Sequence, residues 1–550
     1  MNTTNHEITA TAGGGGELPQ MILRKTRLKL YLHIAQCYKN YAYALIKRSA
    51  YTIIFHKAKI QKYDKRATEC YENLQLAIAG LKAFKALYPQ SKAWIQSAAF
   101  KEKYIDTNHL YPPLLNPKDI DYTKISAQLA WELNLPLPQN YEYIYITSGS
   151  SASEASMYFF GECNVCFNRP GYDSKKAFYY AYEFLSGDTQ GRKKGLFFYT
   201  GEVSHYPNAE HLVASIHKKV PVFYIARNPI GKIKHMLNHI EGVDVTQIRA
   251  KKRLNTDYAE FFPKLTYFGG TSKPSFEVFK NLNDTNWLAN TTLNTTSALE
   301  ALADKASFIH CIEFSDMKFD KAFNTYCDLS SVLGFDKPKD KALFTNKCCP
   351  TTSTTTFLPF DICANADDIS DLALDSALQG KQNLDSDSKE SYIVSATAQH
   401  LLPMLTGKFM ATGYVDRNAK KLSLTDLIDI TDEIAPNLVI DDTKILVMAQ
   451  SGIKENEVLY NATKDYVKGL LEYYKAKVKL YKDEQFSEQD VLEFFKANKQ
   501  SRIFIKNILD KELKHIKEHY PHFIEKWDSY NEFEKMCAEL DGIDSSKGGA

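Results

Sequence analysis

Long apolar runs are missing from this 550-residue chain. The longest, Val220–Ala226, has seven residues, against the ~18 or more that a bilayer-spanning helix requires, so no transmembrane segment is expected. Net charge is nearly missing too. With 68 Lys and Arg against 66 Asp and Glu, the total is +2, which excludes a general nucleic-acid binder that works by neutralising phosphates. The first twenty residues hold Gly13 to Gly16 but no basic stretch leading into an apolar one, so no secretory signal is expected. The ten cysteines are irregularly spaced, the pattern of reduced thiols in a cytoplasm and not of a disulfide framework. A full GxxxxGK[ST] phosphate loop is absent, which weighs against an ATP or GTP hydrolase.

What is present is a globular composition, 44% hydrophobic and 24% charged, with length enough for several units. Residues 1–20 read as disordered, and 21–114 as a basic helical arm in which Leu28, Tyr31, Ala35, Tyr38, Ala42 and Leu45 recur at three/four spacing. Between 115 and 345, strand-length runs at Tyr143–Ile146, Leu196–Tyr199, Val222–Ile225 and Phe308–Ile312 alternate with helical stretches. That alternation predicts an α/β core with a parallel sheet. Residues 346–395 read as a polar and acidic linker or insertion, and 396–550 as a mainly helical C-terminal region. Within it, long helices are expected from Asn456, and Ser487–Asp490 is a helix-start signature.

Three segments carry candidate chemistry. In YEYIYITSGSSASEASMYFF, a strand enters Thr147, Ser148, Gly149, Ser150 and Ser151 before a helix. Small residues there let the backbone approach an anion at the helix start. Ser151 to Glu154 also has the form of a capping box, which accounts for those two residues without any ligand. In VPVFYIARNPIGKIKHMLNH, Arg227 falls at the carboxyl end of a strand, where open α/β sheets bind ligands and a guanidinium can grip a phosphate. A surface arginine in a turn before Pro229 explains the same pattern. In Phe198–Tyr206, Glu202 and His205 follow a strand and could deprotonate a hydroxyl, or could be ordinary loop residues.

This order of segments, with a fourth landmark at Phe308–Phe335, resembles the sulfotransferase superfamily over residues 140–340. The chain, including HYPHFIEKWDSYNEFEKMC, is also similar to an uncharacterised family of epsilon-class proteobacterial proteins often encoded among surface-polysaccharide genes. The resemblance implies a three-layer α/β/α core that transfers a sulfuryl group from PAPS to a hydroxyl or amine of a surface carbohydrate or its lipid-linked precursor, without a metal. It implies that Ser148, Gly149, Ser150 and Ser151 cradle the donor's 5′-phosphosulfate, that Arg227 holds its 3′-phosphate, and that Glu202 activates the acceptor. Two positions depart from the family's pattern. Thr147 stands where the family has a loop lysine, and His235 where it has a serine beyond the arginine. Threonine donates one hydrogen bond but brings no charge. Lys175, Lys176, Lys251, Lys252 or Arg253 would have to restore it.

Other signals point elsewhere. Asp385-Ser386-Asp387 has the form used by metal-dependent, sugar-nucleotide glycosyltransferases, but in a polar tract with no preceding strand it reads better as a solvated loop. Cys163 and Cys166 lack two further ligands of matching spacing and read as packed thiols. Residues 22–66 carry twelve basic side chains against Asp64, so this segment is +11 and the rest of the chain −9. Such a helical arm either lies on an anionic membrane surface, at the inner face of the membrane, or packs on the core with solvated lysines. A third reading follows from the arm and Thr147 together: a non-catalytic protein that kept the fold and docks on a membrane or partner.

Overall fold

The computed structural model describes residue 87 and residues 89–243, 252–279, 288–318, 320–344, 357–365, 391–398, 427–441 and 443–542. The basic segment 22–66, Lys251 and the Asp385-Ser386-Asp387 triplet lie outside the described residues. By its internal contacts the chain forms two compact units. The first holds the residues up to Asn140 with Gly171–Asp188 and Pro207–Lys219; the second holds Tyr141–Pro170, Thr189–Tyr206 and Val220 onward.

The first unit is helical, with Ala127–Glu132 and Ser174–Ser186 as its described helices of six residues or more beside Ala209–Ala214. Trp131 meets Phe178 edge-on at 5.1 Å and lies 3.8 Å from the ring of His211, which also stacks on Tyr111 at 4.3 Å. Burial, and secondarily the charge of Lys175, lowers the His211 pKa to about 4. Lys175 and Lys176 pair with Glu132 and Asp173.

The second unit is built on a five-stranded parallel sheet: β1 (Tyr143–Thr147), β2 (Val165–Phe167), β3 (Lys193–Tyr199), β4 (Val220–Ala226) and β5 (Ala306–Glu313). Their spatial order is β2-β3-β1-β4-β5, with every neighbouring pair parallel. β1 is buried along its whole length and β4 nearly so, hence continuous apolar runs instead of alternation. Tyr143, Tyr145, Phe197, Phe223 and Ile225 face one way, against α1 (Ser153–Glu162) and, later in the chain, Tyr326, Leu329 and Leu333. Tyr224 faces the opposite way, towards α3 (Pro229–Leu237) and α4 (Thr295–Ala301). Between them, α2 (Thr200–Ser204) follows β3 directly. The helix α5 (Ala322–Leu333) ends on Gly334 in the left-handed region, as the Leu-Gly step requires. The result is an α/β core with helices on both faces, as the strand-helix alternation predicted.

A second sheet was not expected from the sequence. Leu427–Asp429, Thr443–Gln450, Ser391–Ala398, Phe360–Asn365 and Lys252–Arg253 pair in that order, antiparallel except for the last pair. Part of the region read as helical from residue 396 is therefore strand. The helix α6 (Glu457–Asp483), capped by Asn456, packs Val467, Leu470, Leu471 and Tyr474 on it. The chain then continues in α7 (Glu488–Ala497), α8 (Lys499–Glu512), α9 (Lys514–His519) and α10 (Asp528–Asp541). Ser487 and Asp490 form the capping box at the start of α7. No helix among the described residues is long and apolar enough to cross a membrane.

Candidate functional site

β1 lies at the centre of the parallel sheet, with β3 on one side and β4 on the other. The chain leaves β1 towards β2 and β3, and later returns on the opposite side in β4. Such reversals open a crevice at the carboxyl ends of the strands. Thr147, Ser148, Gly149, Ser150 and Ser151 occupy that end of β1, and Arg227 that end of β4.

The loop is held by its own small residues. Ser150 and Ala152 adopt positive φ, 63° and 57°, so the chain turns sharply into α1. The expected capping box does not form. The helix starts at Ser153 on a left-handed Ala152 with no side-chain cap, and Ser151 Oγ instead meets Ser148 Oγ at 2.9 Å. Thr147 is fully buried, its Oγ1 3.3 Å from the Ser148 carbonyl.

Arg227 reaches this loop: its Nη1 donates to the Ser150 carbonyl at 2.6 Å, and its guanidinium lies 3.9 Å from the centre of the Phe314 ring. Burial pulls its pKa down to about 10, opposed by the carboxylates of Glu488 and Glu313, so it remains cationic at neutral pH. A side chain at Gly231 would meet Glu488 Oε1 at 3.0 Å and Arg227 Nε at 3.8 Å, so glycine there admits both.

A second cation converges on the same loop. Lys232, from the first turns of α3, is only 3% exposed, and its Nζ donates to Ser148 Oγ at 2.5 Å, Tyr224 Oη at 3.1 Å and the Thr292 carbonyl at 3.1 Å. Desolvation, and then the nearby Arg227, drives its pKa down to about 7. A positive charge thus reaches the Ser148 hydroxyl from a lysine 84 positions further along the chain. Of the residues expected to restore it, Lys252 and Arg253 lie on the second sheet and Lys175 and Lys176 in the first unit. In the sequence Lys232 is one of three basic residues, with Lys234 and His235, on the helix that follows Arg227. The available signal was its place, five residues past Arg227, after a proline that fixes the start of α3.

The segment Leu288–Ser297 was also passed over, although it repeats Asn-Thr-Thr. It joins the β1 loop to the β3 end. The Thr291 carbonyl accepts from Gly149 N at 2.8 Å and from Thr200 Oγ1 at 3.5 Å. Asn294 Oδ1 accepts from Thr200 Oγ1 at 2.6 Å, and its Nδ2 donates to Ser204 Oγ at 3.2 Å. Ser204 Oγ in turn lies 2.7 Å from His205 Nδ1. His205 is half-buried, and burial lowers its pKa, so its ring is neutral at pH 7. Glu202 is fully buried on α2, where its Oε2 accepts from Tyr199 N at 2.9 Å. His235 is exposed, one turn beyond Lys232.

The space bounded by Arg227, Lys232, Tyr224, Thr295, Leu513 and Trp527 is about 10 Å³, enough for one water. Trp527 is fixed there by its Nε1–H donating to Glu313 Oε1 at 3.0 Å. Among the described residues no group of three or more His, Cys, Asp or Glu side chains is placed to hold a metal ion. Cys163 and Cys166 are free; Cys163 ends α1 and Cys166 lies on β2.

Residues 311–540 match the model of a family described as a protein of unknown function, DUF2972. The match begins inside β5 and runs through the C-terminal helices, leaving Ser148–Ser151, Glu202, Arg227 and Lys232 outside it. No curated protein matches the chain. Among solved structures, the crystal structure of mouse sulfotransferase SULT7A1 complexed with PAP aligns over 40% of this chain and 67% of that chain, at 9% identity and a TM-score of 0.20. At that score the superposition carries no weight, and the fold rests on the strand order itself.

Proposed function

We propose that this chain is a PAPS-dependent sulfotransferase whose donor site is the Ser148–Ser151 loop with Arg227 and Lys232. One observation carries the reading: a half-buried arginine and a buried lysine from the region after β4 meet the loop after β1, at the point where strand order reverses. Hydroxyls of Ser148 and Ser151, the uncapped start of α1 and a fork-shaped guanidinium suit a phosphate or sulfate group. PAPS supplies the sulfuryl group when bound. The chain's part is to orient the donor and to stabilise charge developing on the leaving phosphate, for which Arg227 and Lys232 provide the cations.

On the acceptor side, His205 is a neutral ring tied through Ser204, Asn294 and Thr200 to the same Thr291 carbonyl that holds Gly149. It can take a proton from an acceptor hydroxyl or amine. Glu202, buried one turn earlier, fixes the start of α2 and keeps this end of β3 in register with the loop. The acceptor we propose is a hydroxyl or amine of a cell-surface carbohydrate or its lipid-linked precursor, met in the cytoplasm, with the basic segment 22–66 drawing the protein to the anionic inner face of the membrane. Titration calorimetry with adenosine 3′,5′-bisphosphate (PAP) tests the donor site. Binding weakened at least tenfold by Arg227→Ala is expected; no binding, or equal binding by the variant, overturns it.

A non-catalytic role is the second reading. The observation favouring it is that Arg227 and Lys232 already have protein partners around a space of about one water. Co-sedimentation with phosphatidylserine vesicles that needs residues 22–66, without any PAP binding, would select it.

A further inference from the structure

Lys232 stands out from the other lysines of the fold. A buried ammonium is costly unless a counter-ion accompanies it. Lys506, equally buried, has both Asp510 and Glu534 as ion-pair partners. Lys232 has three neutral acceptors, and among the described residues no carboxylate pairs with it.

Its surroundings reinforce the imbalance. β4 presents Tyr224, whose own pKa is raised by burial, and the turn after β4 presents the Arg227 guanidinium. From the C-terminal helices come Leu509, Leu513, Ile516 and Trp527, none of which titrates. The loop contributes Ser148, and Leu288–Ser297 contributes the Thr292 carbonyl and Thr295. On its own helix, Lys234 and the exposed His235 add only positive or neutral groups. The two carboxylates nearby, Glu313 and Glu488, act on Arg227. None of the residues lining this space is a carboxylate.

We propose that Lys232 is a proton-coupled counter-ion for an oxyanion: a sulfate or phosphate group entering at Ser148 takes over its ammonium, and the lysine gains a proton as the anion binds. The inference rests on the donor-site reading for the place where the anion sits, but not for the identity of the rest of the ligand. Burial draws the pKa of the Lys232 ammonium down to about 7, so part of the ligand-free population is neutral near neutral pH, and a bound anion would favour the protonated form. Binding of an anion that does not itself titrate in this range should then take up a fraction of a proton at pH 7 and a larger fraction, up to one, at pH 8.5. Its affinity should fall by up to tenfold per pH unit above 7.

The experiment uses the full chain and two probes, inorganic sulfate and PAP, titrated calorimetrically at pH 6, 7 and 8.5 in buffers of different ionisation enthalpy. The sulfate titration gives the proton count directly. For PAP, whose own phosphates titrate, the count is the difference between wild type and Lys232→Met, with circular dichroism confirming that the variant is folded. Proton uptake with both probes, absent in the variant along with at least tenfold of the affinity, supports both the inference and the donor-site reading. PAP binding without proton uptake, unchanged by Lys232→Met, overturns the inference and leaves the donor site standing. Sulfate binding with proton uptake but no PAP binding supports the inference and removes PAPS. No binding of either probe overturns both. If Lys232→Met fails to fold, the wild-type proton count with sulfate decides alone.

Discussion

Replacing Lys232 by methionine should make the ligand-free chain more stable. In the folded chain its pKa is held near 7, while an unfolded lysine titrates near about 10.4. At ~1.4 kcal/mol per unit, carrying this lysine into the core costs about 4 kcal/mol at pH 7 relative to a side chain that does not titrate. Methionine removes that cost and fills a similar volume. It also withdraws a donor from Ser148, Tyr224 and the Thr292 carbonyl. Ser148 keeps Ser151 and Tyr224 keeps Thr295, so the main loss is at the carbonyl, about 1–3 kcal/mol. The net expectation is a gain of about 1–3 kcal/mol. The sign of the pH dependence follows from the direction of the shift. Between the folded and unfolded pKa values the unfolded chain binds more protons, so stability rises with pH. From pH 7 to 9 this group should add about 2 kcal/mol to the wild type and nothing to the variant. Urea unfolding of both proteins at pH 7, 8 and 9 measures this. Parallel curves, or a variant several kcal/mol less stable, would refute the assignment of Lys232 as an uncompensated buried cation.

Moving the charge back to the loop gives a complementary test. Thr147→Lys puts an unpaired ammonium at a fully buried position on the Tyr145 face of β1 and should destabilise by several kcal/mol, as urea midpoints would show. In the first unit, the His211 pKa near 4 means that stability is full above about pH 6.5 and is lost as pH falls towards 4, by about 3 kcal/mol. His211→Phe keeps the stack on Tyr111 and Trp131 and should flatten that acid limb in pH-dependent unfolding. Gly201→Ala would place a methyl 2.6 Å from the Asn290 carbonyl, so it should cost about 1–3 kcal/mol in a urea melt and disturb the Ser204–Asn294–His205 contacts. No change in either would show that α2 does not rest on this segment.

The three central strands of the parallel sheet were legible because burial on both sides makes them continuous apolar runs. Tyr143–Ile146, Leu196–Tyr199, Val222–Ile225 and Phe308–Ile312 all lie within observed strands. The same runs located Ser148–Ser151 and Arg227, since a strand end is where such a sheet presents its loops. The second sheet was not legible. Its strands include a two-residue and a three-residue piece and are scattered from Lys252 to Gln450, so pairing is decided by distant partners and not by local pattern. Lys232 was hidden for a related reason. Nothing in GKIKHML distinguishes the buried Lys232 from the part-exposed Lys234; only contacts to Ser148 and Thr292, 84 and 60 positions away, do so. Ser151 shows the reverse error: its capping pattern is satisfied in sequence, but left-handed Ala152 takes the cap position and frees the serine for Ser148.

The proposed donor site is a single oxyanion site between the β1 loop and the two cations after β4. A crystal structure of the full chain grown with saturating PAP tests it most directly. A phosphate group is expected within hydrogen-bonding distance of the Ser148–Ser151 loop, with Arg227 turned from the Ser150 carbonyl and Lys232 turned from Ser148 towards the ligand. PAP bound elsewhere, or both protein–protein contacts intact and no ligand at the loop, would contradict it.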